Sequence, residues 1–207
     1  MGADRQNLIA HGDIDLWIRP AGPTGRDPIS ARQQNERSLK DLVGVLEKYT
    51  TLPAEIPRRE GGKPYLPDGP GFNMSHSAGG TAVAVSGFEV GVDIEGEQRR
   101  VHSREIAGKF FTPRECGDLA AGNWQNFLVY WVLKEAVTKL TGDGIYRSLR
   151  DVEVVSGGVT FRGQPVWTHL FRGGGLVGAL ASWEPRRVNV FAIDEILITQ
   201  SICHFRI

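Results

Sequence analysis

The sequence predicts an α+β protein, on three observations. Apolar and polar residues alternate near the N-terminus, around residues 81–95 and through the last third of the chain, which marks strands. Apolar residues at helical spacing mark two long helices, over about 31–49 and 123–140. The order is strand, helix, strands, helices, strands, rather than the regular βα alternation of a parallel sheet.

The first strand covers Ile14 to Ile18, where Ile14, Leu16 and Ile18 alternate with Asp15 and Trp17. Pro20, Gly22, Pro23, Gly25 and Pro28 then break the chain into loop. Ser30 is a candidate N-cap for the first long helix, which carries Leu39, Leu42, Val43 and Leu46 and ends before Pro53 and Pro57. A turn-rich stretch over 58–71 contains Gly61-Gly62-Lys63-Pro64. Thr81 to Ser86 and Val90 to Glu95 read as strands joined by Gly87-Phe88-Glu89, a loop short enough for a hairpin. A helix is expected over about 103–110, and Thr112-Pro113-Arg114-Glu115 is a helix start, with Thr as N-cap, Pro first and Glu third. The second long helix stops at Thr141-Gly142-Asp143-Gly144. Strands follow over 152–155, 159–162, 166–170, 176–182 and 188–193, and the tail 196–207 is apolar enough to pack or to dimerise.

Composition narrows the function. A chain of 207 residues can form one large domain or two small ones, and 41% hydrophobic with 23% charged residues is ordinary for a soluble globular protein. A formal net charge of zero offers no general field for nucleic acid or an anionic membrane, so any basic surface is local. Cys116 and Cys203, the two cysteines, make neither a Cys-x-x-Cys pair nor a disulfide framework. The first ten residues lack an apolar signal region and no run approaches 18 apolar residues, so a reducing, cytoplasmic setting is expected, with no membrane partner.

The chemistry concentrates in two stretches. In Gly91-Val92-Asp93-Ile94-Glu95, a strand sends Asp93 and Glu95 to one face and Val92 and Ile94 to the other. In Trp131-Val-Leu-Lys134-Glu135-Ala-Val-Thr-Lys139, a helix makes Glu135 a neighbour of both Trp131 and Lys139. Three carboxylates brought to one point, with lysines beside them, suit Mg²⁺ holding a phosphate. The alternatives are the wet face of an antiparallel strand, and a solvated helix sector of Lys134, Glu135, Thr138 and Lys139 in which Trp131 is an anomaly. Phe72-Asn73-Met74-Ser75-His76-Ser77 is either a turn network or a polar cradle in which Ser75 and His76 donate to phosphate oxygens and Lys63 adds charge. Arg99, Arg100, Arg104, Lys109 and Arg114 form either a local basic patch or a solvated surface, since Glu97, Glu105 and Glu115 are interspersed. His11, His102, His169 and His204 show no metal-site spacing.

Taken together, Gly62-Lys63-Pro64, Phe72-Asn73-x-Ser75-His76-Ser77, the Gly91 motif, Phe110-Phe111-Thr112-x-x-Glu115 and Trp131-x-x-Lys134-Glu135-x-x-x-Lys139-x-x-Gly142-x-Gly144 occur in this order. The pattern resembles the 4′-phosphopantetheinyl transferases of the surfactin-synthetase-activating type. The resemblance implies a pseudo-dimer within one chain, with an N-terminal half over 1–89, a C-terminal half over 90–207 and the site in the cleft between them. It implies transfer of the phosphopantetheine arm of coenzyme A to a serine of an apo-carrier protein, with release of 3′,5′-ADP and Mg²⁺ (or Mn²⁺) as cofactor. Residue by residue, it assigns Asp93, Glu95 and Glu135 to the metal, Glu135 also to the general base, and Lys139 to the departing phosphate. It assigns Lys63, Ser75, His76, Lys134 and, more loosely, Arg37 to coenzyme A. An acidic carrier would meet the basic patch 99–114, with the enzyme acting as a monomer and binding no nucleic acid. A Mg²⁺-dependent diphosphate hydrolase and a non-catalytic carrier-binding homologue are the competing readings.

Overall fold

A computed structural model describes residues 12–20, 31–78, 80–99, 101–144, 148–155 and 157–193. In β1 (Ile14–Pro20) alternation serves two cores at once: Ile14, Leu16 and Ile18 enter one, and Trp17 enters another. A helix, α1 (Ala31–Leu46), lays Leu42, Val45 and Leu46 on the Trp17 side, with Phe72, Val83 and Val85 from β2 (Gly71–Ser77) and β3 (Gly80–Ser86). The ion pair of Arg19 with Asp41, at 2.7 Å, and the Ser38–Thr81 hydroxyl contact, at 2.9 Å, pin α1 to this sheet. Its order is β2-β3-β1-β9, where β9 (Val188–Ala192) runs parallel to β1 and the other pairs are antiparallel.

The second sheet has the order β4-β8-β7-β6-β5 and is antiparallel throughout. Its strands are β4 (Gly91–Gly96), β5 (Val152–Val155), β6 (Gly158–Phe161), β7 (Gln164–Gly173) and β8 (Leu176–Ser182). Two helices, α2 (Ser103–Phe110) and α3 (Pro113–Ala121), precede α4 (Phe127–Thr141), whose Val132, Leu133, Ala136, Val137 and Leu140 cover this sheet. Val92 and Ile94 of β4 join Ile14, Leu16, Ile18, Phe171 and Leu180 in the core between the sheets. The layers are therefore α1, first sheet, second sheet, α4.

Sequence and structure differ at three elements. The expected hairpin of 81–86 with 90–95 does not form: β3 pairs with β1 and β2, while β4 pairs with β8 in the other sheet. The histidine-containing stretch is the strand β2 rather than a turn. Its side chains bridge the sheets, as Val92 N–H donates to Asn73 Oδ1 (3.1 Å) and Ile94 N–H donates to Ser75 Oγ (3.3 Å). Those two amides on the open edge of β4 are thus satisfied without a backbone ladder. The last long helix begins at Phe127 rather than 123, because Asn123 and Trp124 take positive φ of 52° and 62°, which no helix contains. The capping box at Thr112 forms as expected: Glu115 N–H donates to Thr112 Oγ1 (3.2 Å) and Thr112 N–H donates to Glu115 Oε2 (2.7 Å). Ser30, Arg100, His11, Cys203, His204 and the tail 196–207 lie outside the described residues.

The contact that positions the site is the crossing of α4 over β4. A Cβ on Gly91 would stand 2.0 Å from the Ala136 carbonyl oxygen and 2.6 Å from the Leu140 nitrogen. Only glycine allows the helix backbone to lie on the strand. Gly91→Ala is therefore expected to push α4 away and lower stability by about 2 kcal/mol or more, since overpacking of a closed core costs on that order. Urea unfolding of the variant checks this, and a midpoint equal to wild type would refute the close approach.

Candidate active site

Because α4 lies on β4, the strand face opposite Val92 and Ile94 meets the helix. Asp93 and Glu95 are both buried, 4% and 6% exposed, which removes the wet-face reading of this strand. Lys139 Nζ donates to Asp93 Oδ1 (2.7 Å) and to Ser75 Oγ (3.0 Å), and the Ser75 hydroxyl donates to the same Asp93 oxygen (2.8 Å). The other oxygen, Asp93 Oδ2, is buried without a hydrogen-bond partner. Glu95 accepts from the Arg99 guanidinium. These groups open into a cleft of about 430 Å³ that Asn73, Met74, Ser75, His76, Asp93, Glu95, Glu135 and Lys139 line, with Arg58 from the turn beside Pro64 and an apolar wall of Leu39, Leu42 and Ile56.

The electrostatics of the cleft follow from burial. Desolvation, and then the charge of Asp93, push the Glu135 carboxyl up to about 7, against the pull of Lys139 and Arg99. Partial desolvation at the cleft wall, and then the nearby Lys139 ammonium, hold His76 below the ordinary histidine value although the residue is outward-facing, which favours a neutral imidazole at neutral pH. A carboxylate of raised pKa beside a lysine, in a cleft that also holds a buried unpartnered carboxylate oxygen, is a place for a cation and a proton acceptor. The donor set fits a hard divalent ion, because Asp93, Glu95 and Glu135 offer oxygen ligands at one wall. In the geometry as it stands, no three His, Cys, Asp or Glu side chains among the described residues close into a coordination set. The Lys139 and Arg99 cations hold Asp93 and Glu95 instead.

Residues 89–169 match the 4′-phosphopantetheinyl transferase superfamily. The chain is 37% identical over 152 residues to a 4′-phosphopantetheinyl transferase of Bacillus subtilis, covering 66% of this chain and 67% of that protein. The chain belongs to the 4′-phosphopantetheinyl transferase family. It is also 37% identical over 93 residues to the 4′-phosphopantetheinyl transferase Sfp of Bacillus subtilis strain 168, covering 42% of this chain and 41% of Sfp. To the 4′-phosphopantetheinyl transferase HetI of Nostoc it is 36% identical over 103 residues, which is 45% of this chain and 43% of HetI. The chain thus spans two thirds of the first relative and less than half of the other two.

Within this transferase, Asp93, Glu95, Glu135, Lys139, Ser75 and His76 come together as the sequence motifs suggested. Two lysines do not. Lys134 and its partner Glu115 are completely buried, and Lys134 Nζ donates to both Glu115 oxygens (3.0 and 2.9 Å) and to the Val152 carbonyl. Glu115 accepts further from Val154 N–H (2.8 Å), so one ion pair joins α3, α4 and β5. Burial holds Lys134 below the ordinary lysine value, although Glu115 pulls it upward. Its assignment to coenzyme A is corrected: it is an interior tie, and Thr138 beside it is buried too. Lys63 Nζ is likewise turned away from the cleft, onto Glu89 (2.6 Å) and the carbonyls of Val90 (3.2 Å) and Leu140 (3.0 Å). The solvated-sector reading of α4 failed because β4, β5 and β8 pack on the helix from several sides, which a single helical wheel does not register.

Arg37 is exposed on α1 and does not line the cleft. Arg58 does line it, and the sequence reading passed over it. The signal was faint, an arginine five residues before Lys63 in a turn with no periodicity. Of the basic patch, Arg99 is engaged with Glu95, Lys109 pairs with Glu105, Arg104 lies 5.8 Å from the Trp124 ring centroid, and Arg114 is exposed. Among the described residues no helix is long and apolar enough to cross a membrane.

Removing one partner of a fully buried ion pair strands the other charge. Lys134→Met is expected to lower stability by about 3–5 kcal/mol, while the protein that remains folded binds coenzyme A as wild type does. Denaturant unfolding and calorimetric titration separate the two effects. Near-native stability with weakened coenzyme A binding would return Lys134 to the substrate site.

Proposed function

We propose that this chain transfers the 4′-phosphopantetheine arm of coenzyme A to a serine of an apo-carrier protein, with Asp93, Glu95 and Glu135 holding Mg²⁺. The observation that carries the residue assignment is the meeting of these three acids with Lys139, His76 and Arg58 on one cleft, with Asp93 Oδ2 buried and unpartnered. When bound, Mg²⁺ supplies charge neutralisation and orientation at the diphosphate oxygens. Glu135, with its raised proton affinity, accepts the proton of the carrier serine hydroxyl, directly or through water. The serine oxygen forms the new bond to the phosphorus bearing the pantetheine arm. The bond from that phosphorus to the bridging diphosphate oxygen breaks, and 3′,5′-ADP leaves with the electron pair. Lys139 neutralises the charge that grows on the departing phosphate, while His76 and Arg58 hold its oxygens before reaction.

The division into halves at residues 89 and 90 belongs to the same proposal. It is supported by a sheet and a covering long helix on each side, α1 with the first sheet and α4 with the second. β9 is the exception, since it comes from the C-terminal part of the chain and pairs with β1. The exposed side chains of Arg104 on α2 and Arg114 on α3, the two helices that follow β4, are the proposed contacts for an acidic carrier.

Asp93→Asn and Glu135→Gln are expected to lose transfer by at least about 100-fold, a typical loss when a charge-stabilising or acid–base group is removed. Mass spectrometry of an apo-carrier incubated with coenzyme A and Mg²⁺ reads the gain of the arm, and circular dichroism checks the fold. Folded variants with wild-type turnover and unchanged metal dependence would refute the acid assignment.

Lys139→Ala and His76→Ala should fail in different ways. The first is expected to lower kcat with little change in coenzyme A affinity, because the phosphate charge it is assigned to neutralise grows only as the diphosphate bond breaks, whereas at rest its partner is Asp93. The second is expected to weaken coenzyme A roughly 10- to 100-fold, the worth of one charge-assisted hydrogen bond. Steady-state kinetics with calorimetry would show the reverse pattern if the roles were exchanged.

A further inference from the structure

The Gly-Gly-Lys-Pro turn and the Thr-Gly-Asp-Gly end of α4 form one joint. A Cβ on Gly61 would stand 1.8 Å from the Gly142 carbonyl oxygen, so the two backbones touch. The turn is closed on itself: Gly62 N–H donates to Arg59 O (2.8 Å) and Arg59 N–H donates to Lys63 O (2.9 Å). From it Lys63 reaches into the interior and spends its three ammonium donors on Glu89, Val90 O and Leu140 O. Leu140 O is among the last carbonyls of α4, which have no acceptor role left within the helix and carry its negative dipole end. Val90 O stands one residue before Gly91, where β4 begins. A single cation therefore ties the start of the strand that carries Asp93 and Glu95 to the end of the helix that carries Glu135 and Lys139. Glu89 is clamped in turn by Arg59 at 2.6 Å.

We infer that Lys63 and Glu89 are a positioning strap that sets the last turn of α4, and with it Lys139, for the transfer step, and that Lys63 is not a ligand of coenzyme A. The inference rests on the transfer reading given above. Serving a phosphate instead would require Lys63 to leave three acceptors, two of them buried carbonyls, and such orphaned groups are costly. Lys139 immediately precedes Leu140 in the chain, and its ammonium touches Asp93 at 2.7 Å. A displacement of about 1 Å in a reacting constellation can cost about 100-fold in rate, so slack at Leu140 is felt at Lys139.

The test uses the full chain with Lys63→Met and Glu89→Gln. Glu89 is partly exposed, so its variant keeps the fold accessible if Lys63→Met does not fold. The expected result is a fall in kcat of about 10-fold or more for Lys63→Met and a smaller fall for Glu89→Gln. Coenzyme A affinity by calorimetry should stay within about twofold of wild type, since the strap makes no ground-state contact with it. Hydrogen exchange should speed up at the amides of residues 138–142. Coenzyme A affinity lowered 10-fold or more with kcat intact would make Lys63 a phosphate ligand and overturn the inference. So would exchange at 138–142 identical to wild type. A wild-type chain that modifies no carrier would sink the transfer reading, and the exchange measurement would still decide the strap.

Discussion

The close crossing of α4 over β4 governs the rest of the molecule. It needs a strand residue without a side chain at Gly91, so that the Ala136 carbonyl can approach the strand backbone. Given that contact, the alternation of β4 leaves no choice: Val92 and Ile94 face the other sheet, while Asp93 and Glu95 face the helix. Two acids then sit in a nearly dry seam, where desolvation of Glu135, and then the charge of Asp93, raise the proton affinity of Glu135. Buried carboxylates need nearby compensation, and Ser75, Lys139 and Arg99 supply it.

The two sheets are joined chiefly by side chains. Asn73 and Ser75 of β2 take up amides of β4, so the strand that ends one sheet completes the edge of the other without merging with it. Ser75 serves twice, since its hydroxyl also donates to Asp93. The motif Asn73-x-Ser75-His76 is thus partly a seam and partly a wall of the cleft, with His76 as its outward member. At the far side of α4, the Glu115–Lys134 pair does comparable work in the interior. It links the N-terminus of α3, the helix α4 and β5 through one carboxylate that also closes a capping box. The lysine beside Glu135 in sequence therefore holds the helix from behind while Glu135 faces the cleft. These ties give the cleft a rigid rear wall, which suits a reaction in which positioning and charge stabilisation carry most of the rate.

Much of this was legible in the chain. The strand period fixed which residues of β1 and β4 share a face, because alternate side chains must oppose each other. Thr112-Pro113-x-Glu115 announced its capping box, since that chemistry is local to four residues. The order of motifs also sufficed to place the family, and the structure brings Asp93, Glu95, Glu135 and Lys139 of those motifs to one cleft. Strand pairing was not legible: β3 and β4 are adjacent in sequence with a hairpin-length loop, yet belong to different sheets. Nor was the direction of Lys63 and Lys134, which share residue type and motif context with a phosphate ligand. A lysine stem reaches in any of several directions, and only the neighbours decide whether its ammonium meets solvent, substrate or a buried carboxylate. Glu89, Leu140 O and Glu115 made that decision here, and they come from segments up to 77 residues away in the chain. Local periodicity cannot encode contacts of that range, because they exist only once the layers have packed.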